Sequence, residues 1–319
     1  MTDDEGVAAQ MRHAATALLR QLDDEQRQLG SLPFSDDASR RWIEYRPEDR
    51  PGACLALLSP DARKASHRLL ATALSDRAFA QAMAIVALEE VLDRREAGAL
   101  RRHIGGYWVT VFGDPASGDA WSWRFEGHHV SVTMTVLGDA VSPTPVFLGA
   151  NPARVTYGAH TVSRPLAPEE DIGLALLQEL GPAGRSVAVV ASEAPADIRT
   201  ATRPRAQPEL DPLGVPATGV GLTARALLDQ LVALYLERLV PPLADREADR
   251  IAGGELYFAW EGPALPGSRY YYRVQGDDLL IEYDNTDDGN HAHTVLRRPH
   301  SDFGDDILAA HYGEDHTTS

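Results

Sequence analysis

A single cysteine, Cys54, stands among 319 residues. One thiol makes neither a disulfide framework nor a thiolate cluster, so any bound metal has to be held mainly by His, Asp and Glu. Lysine is as scarce. Lys64 is the only one against 29 arginines, which leaves Schiff-base chemistry no candidate but Lys64 itself. No run approaches the roughly 18 to 20 apolar residues that a membrane-crossing helix needs, and the acidic start Met1-Thr2-Asp3-Asp4-Glu5 is unlike a secretory leader. Also missing are a Gly-x-Gly-x-x-Gly turn between strand and helix, a Gly-Lys-Ser/Thr phosphate loop, a Gly-x-Ser-x-Gly elbow and a His-Glu-x-x-His helix. Nicotinamide, nucleotide and serine-hydrolase chemistries therefore have no motif to rest on. Positive charge is short too: a formal net charge of −17 disfavours nucleic acid and anionic membrane surfaces as partners. The expectation is a cytoplasmic protein acting on a small molecule, with no nucleic-acid or membrane partner and its oligomeric state left open.

What is present is ordinary globular material, 44% apolar, in a chain long enough for one large domain or two smaller ones. Val7, Met11, Ala15, Leu18, Leu19 and Leu22 at helical spacing predict a first helix over about 6–30. Ser59-Pro60-Asp61 opens a second, and a third runs over about 75–101. Glu89 and Glu90 lie beside the apolar stripe of that third helix; a charged surface face is the usual reading, a buried functional Glu the alternative. At Gly105-Gly106 the pattern turns to strands. A short helix over about 169–180, ended by Gly181-Pro182, and a strand at about 186–191 follow, and the segment over about 194–218, rich in Pro, Ala, Arg and Thr, reads as a surface linker or flap. A helix over about 224–240, capped by Thr223 and stopped by Pro241-Pro242, follows, then further strands and a short helix over about 305–312. The fold expected is a single α+β domain over 1–319. It has a helical layer (about 6–104), a β-rich block (about 105–192), the flap, and a helix with a C-terminal β block (about 222–312), the helices packing on a largely antiparallel sheet.

Two stretches carry chemistry. Strands over about 279–284 and 291–298 flank a polar segment with turn residues Asn285, Asp287, Asp288, Gly289 and Asn290, and read as a hairpin. With the turn centred between Asp287 and Asp288, Glu282 pairs with His293 and Asp284 with His291, so two imidazoles and two carboxylates share one sheet face. That donor set suits Zn, Fe, Mn or Cu, which the residues do not distinguish. The second stretch is Trp121 to Val136, read as one strand containing Arg124, Glu126, Gly127, His128 and His129. By the parity of Val130, Val132, Met134 and Val136, His129 joins the Ser131/Thr133 face, while Arg124, Glu126 and His128 join the apolar one. A bulge at Gly127 would bring His128 there instead, so either is a candidate ligand. The expected site thus has His128, His129, Glu282, His291 and His293 on the metal, with Glu282 and Asp284 as catalytic carboxylates. Arg124, Asn285 and Asn290 are the expected substrate contacts.

Phe112-Gly113-Asp114-Pro115, the run from Trp121 to His129, and Phe147-Leu148-Gly149-Ala150-Asn151-Pro152 form one block. Phe258 to Pro263, Tyr271 to Gly276, Leu280 to Asn285, Asn290-His291-Ala292-His293, Asp302-Phe303-Gly304 and His311-Tyr312 form another. Together they resemble the family catalogued as domain of unknown function 3500, over nearly the whole chain. The resemblance implies one continuous fold and a shared site, and names no activity. The chain departs from it at Leu296 and Arg298, where an aromatic and an acidic residue are expected. The expected function is a metal-dependent oxidoreductase, oxygenase-like, acting on a small acidic molecule. A metal-dependent hydrolase or lyase, and a metal- or ligand-binding protein without catalysis, are the alternatives.

Overall fold

The structure, a computed structural model, describes residues 3–98, 102–265, 267–286 and 289–315. Its fold is α+β. Helices α1 (Asp3–Gln21), α2 (Asp24–Gly30), α3 (Pro60–Ala71) and α4 (Asp76–Arg95) come first. The helix expected over about 6–30 is two, because Asp23 caps a new start: its carboxylate accepts from the Gln26 N–H, and the Gln26 side chain reaches back to the Asp23 N–H.

Strands β1 (Tyr107–Phe112), β2 (Trp121–Gly127), β3 (Val130–Leu137) and β4 (Val146–Ala150) follow. Then come α5 (Ala167–Glu179), α6 (Gly181–Ala188), α7 (Leu222–Leu236) and α8 (Pro241–Ile251). The chain ends in β5 (Tyr257–Glu261), β6 (Tyr271–Gly276), β7 (Leu279–Thr286), β8 (His291–Arg297) and α9 (Asp305–Asp315). Two expectations are corrected here. Pro241-Pro242 does not merely stop a helix but opens α8, since proline at the first helical position gives up an N–H that has no intrahelical partner anyway. The strand expected at about 186–191 is mostly α6, with only Val189–Ala191 extended.

Thirteen of the described strands make one sheet whose central order is β1-β2-β3-β4-β8-β7-β6-β5. These central neighbours are antiparallel; Ser31–Leu32 and Val189–Ala191 add parallel edges. β4 is the seam between the two β-rich blocks: Val130 of β3 pairs with Leu148, and Leu148 pairs in turn with Thr294 of β8.

One face of the sheet is apolar. Trp121, Trp123, Phe125, Val130, Val132, Ile281, Tyr283 and Leu296 join the helices' Leu18, Leu69, Ile85 and Leu231 in one buried cluster. The other face is polar and yet buried, carrying Arg124, Glu126, Ser131, His293, Glu282, Arg273 and Arg297. It is covered by two irregular segments, 36–52 and 192–214. Buried side chains of the sheet hold the second one by its backbone: Arg297 donates to the carbonyls of Arg203 (2.8 Å) and Pro204 (2.8 Å). Arg273 donates to those of Leu210 (3.2 Å) and Pro212, and Gln275 also to that of Leu210 (2.8 Å). The flap is therefore a fixed cover. Its backbone polar groups, which lack a ladder of their own, find partners this way.

Candidate metal centre

The run Trp121 to Val136 is not one strand. Gly127 of β2 pairs directly with Val130 of β3, so His128 and His129 are the two residues of a tight turn. Gly127 makes no bulge; a side chain there would run into the Tyr107 ring, with a Cβ only 2.2 Å from Cδ1. Arg124 and Glu126 accordingly lie on the polar face rather than the apolar one. His129 takes φ +64°, a left-handed backbone unusual for a residue with a Cβ. The surroundings hold it there: its N–H donates to the Tyr45 carbonyl (3.0 Å), its carbonyl accepts from Gly149 N–H (2.8 Å), and the Tyr107 hydroxyl donates to the His128 carbonyl (2.8 Å). Such a fixed, costly conformation is common where a side chain has to be aimed.

β8 brings two more imidazoles. His291 and His293 are two residues apart on one strand and so share a face. Nε2 of His129 and Nε2 of His291 are 2.8 Å apart, and one nitrogen from each of His129, His291 and His293 lies within 4.8 Å of the others. Gly149 on β4 makes the convergence possible. A Cβ at that position would sit 2.8 Å from His129 Cδ2, 3.1 Å from His293 Cδ2 and 3.0 Å from the Ala292 carbonyl oxygen. Gly149→Ala is therefore expected to push the two rings apart and lower metal affinity by tenfold or more, a loss measurable by competition with a chelator. Unchanged affinity would mean that the rings are not held by this contact.

Around the imidazoles sits a layer of oriented partners. Asp197, from the flap, accepts at Oδ1 from His293 Nδ1 (2.9 Å) and at Oδ2 from the Tyr45 hydroxyl (2.6 Å). Tyr45 stacks on Phe147, ring centroids 4.0 Å apart. With Nδ1 of His293 turned to carboxylate, Nε2 is the nitrogen left for a metal, and a carboxylate behind a ligating imidazole both aims it and makes it a better donor. A second pair stands beside the first: His128 bonds through Nδ1 to Glu89 of α4 and contacts Arg102 (3.1 Å), while its ring lies 3.8 Å from that of His129. Glu89 is thus a buried partner of the site, not part of a charged surface face.

Burial, reinforced by His128, His293, His291 and Arg102, holds the His129 pKa well below the ordinary imidazole range, so its ring is neutral and ready to ligate. His128 is also lowered, burial outweighing the attraction of Glu89. His293 moves the other way. Burial alone would lower it, but Asp284 and Asp197 together raise it to about 9. Burial raises the Asp284 carboxyl in turn.

The structure brings together His129, His291 and His293, with Asp284 and His128 beside them. It places the other expected residues elsewhere. Pairing runs Asp284 with His293 and Thr286 with His291, two residues displaced from the expected register. The turn's centre moves toward Gly289, which takes φ +79°; Asp287 and Asp288 themselves lie outside the described residues. Glu282 keeps the predicted face but faces Val295, not His293. Its carboxylate is occupied by the N–H groups of Arg199 (2.5 Å) and Thr200 (3.2 Å), the Thr200 hydroxyl and the Tyr271 hydroxyl (2.9 Å). Through these bonds it clasps the flap. Arg124 is fully buried, pairs with Glu126 (2.7 Å) and donates to the Ser39 carbonyl (2.6 Å). Asn285 bridges Tyr270 N–H (2.7 Å) and the Ser268 carbonyl (2.8 Å), and Asn290 accepts from Arg154 N–H (2.7 Å). Both build loops.

Parity in the sequence held a signal for the turn. Trp121, Trp123 and Phe125 are odd and Val130, Val132 and Met134 even; a single strand would send them to opposite faces, whereas a two-residue turn puts all of them on one. Asp197 had no comparable signal in the sequence.

The family model described as Protein of unknown function (DUF3500) matches residues 4–305, and the chain belongs to that family. No curated protein of known role and no solved structure matches it. No described helix is long and apolar enough to cross a membrane.

Proposed function

We propose that this chain is a metal-dependent enzyme in which His129, His291 and His293 hold one divalent transition metal. The supporting observation is the convergence of three imidazole nitrogens within 4.8 Å, one of them backed by a carboxylate. Three neutral nitrogen donors suit Zn, Cu or Fe, and leave coordination positions for a small molecule. The proposed reaction is oxidoreduction. Bound at this site, a redox-capable ion would offer an open position and a path for electrons from the substrate, the reductant, to dioxygen, the oxidant. The chain's own residues position and shield: Tyr45 and Phe147 wall the imidazoles with stacked rings, Asp197 fixes the His293 tautomer, and His291, the most exposed of the three, marks the open side.

The Glu89–His128 pair favours a second reading, a metal-dependent hydrolase or lyase. It is a buried imidazole oriented by a carboxylate, on a 300 Å³ pocket lined also by Arg50, His103 and Trp108. In that case the ion would lower the pKa of a bound water and a neighbouring base would take its proton. The test loads the stripped protein with Fe²⁺, Cu²⁺ or Zn²⁺ and follows dioxygen consumption with small carboxylic acids. Uptake that depends on Fe or Cu supports oxidoreduction. Turnover of an ester or amide panel with Zn²⁺ and no uptake supports the second reading, and a chain that retains no ion overturns both.

The raised pKa of His293 fixes a pH dependence. Metal competes with the proton on that ring, so affinity rises with pH up to about 9. Without metal the sign is opposite. A histidine raised from 6.5 contributes stability that is whole below that value and lost as pH rises through about 9. Melting temperature of the stripped protein should therefore fall between pH 6.5 and 9 while the gain on adding metal grows. A metal-induced gain that shrinks over this range would contradict the assignment of His293 as ligand.

A further inference from the structure

The three-imidazole site leaves one group unaccounted for. Asp284 is 1% exposed, and neither of its carboxylate oxygens has a hydrogen-bond partner among the described residues. Its closest polar approach, Oδ1 to His293 Nδ1, is 3.6 Å, beyond hydrogen-bonding distance. A buried carboxylate without a partner is costly, and such groups are normally paired or bound to a cation. Among the described residues no arginine or lysine pairs with it, and His293 already bonds Asp197 through the same Nδ1. On the same face Arg273 and Arg199 are engaged by Glu261, and Arg297 by Asp302. Glu282, next on the strand face, adds a further negative charge that only N–H and hydroxyl groups meet. Two carboxylates, of Asp197 and Asp284, thus crowd against a single imidazole, with Glu282 a further like charge acting on Asp284.

We propose that Asp284 and Asp197, with the Nδ1 side of His293, hold a second divalent cation, so that His293 bridges two ions through its two ring nitrogens. One ligand atom from each of the three residues lies within 4.8 Å of the others, and both oxygens of the buried Asp284 carboxylate are without a hydrogen-bond partner. The second ion replaces the Nδ1 proton that His293 otherwise shares with Asp197, and the proton leaves to solvent. Two carboxylates and one imidazole form a harder donor set than three imidazoles, suited to Mn²⁺, Fe²⁺ or Zn²⁺. Asp197 reaches the site from the flap and keeps its side chain 35% exposed, so the ion has a way in. The inference shares His293 with the proposed function and is otherwise independent of it.

The test counts ions. Stripped protein is reloaded with Zn²⁺ alone, desalted and measured by elemental mass spectrometry, for the wild type, Asp284→Asn and His291→Ala, with circular dichroism to confirm folding. Expected are two ions per chain in the wild type and one in each variant. One ion in the wild type, retained by Asp284→Asn and lost by His291→Ala, overturns the second site and leaves the three-imidazole centre standing. One ion lost by Asp284→Asn and kept by His291→Ala does the reverse, and no ion at all overturns both. Asn keeps the shape of Asp284; should that variant fail to fold, Asp284→Ser, which leaves Asp197 and His293 in place, carries the same expectation.

Discussion

Replacing His291 and His293 together by alanine is expected to abolish transition-metal binding and leave the fold standing. Two of the three donors of the imidazole centre are lost at once, together with the ring that Asp197 orients. The loss should exceed the roughly 10- to 100-fold typical of removing an outer partner, which is the effect expected for Asp197→Asn alone. The strand itself should survive. Its ladder to β7 and β4 is made of backbone bonds, and Ala292, Val295 and Leu296 remain buried on either side of it. His128→Ala should cost much less affinity than His129→Ala, because the His128 Nδ1 is engaged by Glu89 and Arg102 rather than aimed at the centre. Metal content after reloading and a thermal melt check both halves. Equal metal in wild type and double variant would end the three-imidazole assignment.

Glu282→Ala should destabilise the protein by about 3 kcal/mol or more, the largest stability effect expected on the polar face. The carboxylate takes donors from Arg199, Thr200 and Tyr271, and all of them are left without a partner when it goes. Hydrogen bonds to a charged group contribute about 1.5–3 kcal/mol each, and unmet buried donors add their desolvation cost. The flap should loosen first, and Asp197 with it, so metal affinity falls as a secondary result. Ile281→Ala, one residue away on the apolar face, should cost a comparable 2–5 kcal/mol through the cavity it leaves, with metal affinity kept. Urea melts with and without metal separate the two. If Ile281→Ala weakened metal binding as much as Glu282→Ala, the flap would not be what links Glu282 to the site.

The helices, the hairpins and the shared face of His291 and His293 were legible because each rests on periodicity, which a sequence displays directly. Register was less so. A hairpin's pairing depends on where its turn closes, and a displacement of two residues kept the face while exchanging Glu282 for Asp284 opposite His293. Arg124 and His128 were misplaced by one assumption, that Trp121 to Val136 runs straight, although the switch in apolar parity already marked the turn. Asp197 and Tyr45 come from irregular segments whose course is set by sheet side chains distant in sequence. No local pattern encodes such a meeting. Glu89 and His128 lie 39 positions apart and meet only after α4 packs against the sheet.

Arg297, Arg273 and Gln275 grip the flap by carbonyl oxygens, which every residue possesses. Substitutions along 203–212 therefore leave the anchors untouched, apart from prolines and glycines that redirect the chain. Asp197, Arg199 and Thr200, whose own side chains enter the bonding, are tied to their identities. Sequence and shape are uncoupled along this cover. Relatives should be able to vary it freely and change what passes over the imidazoles, while the machinery beneath stays as it is.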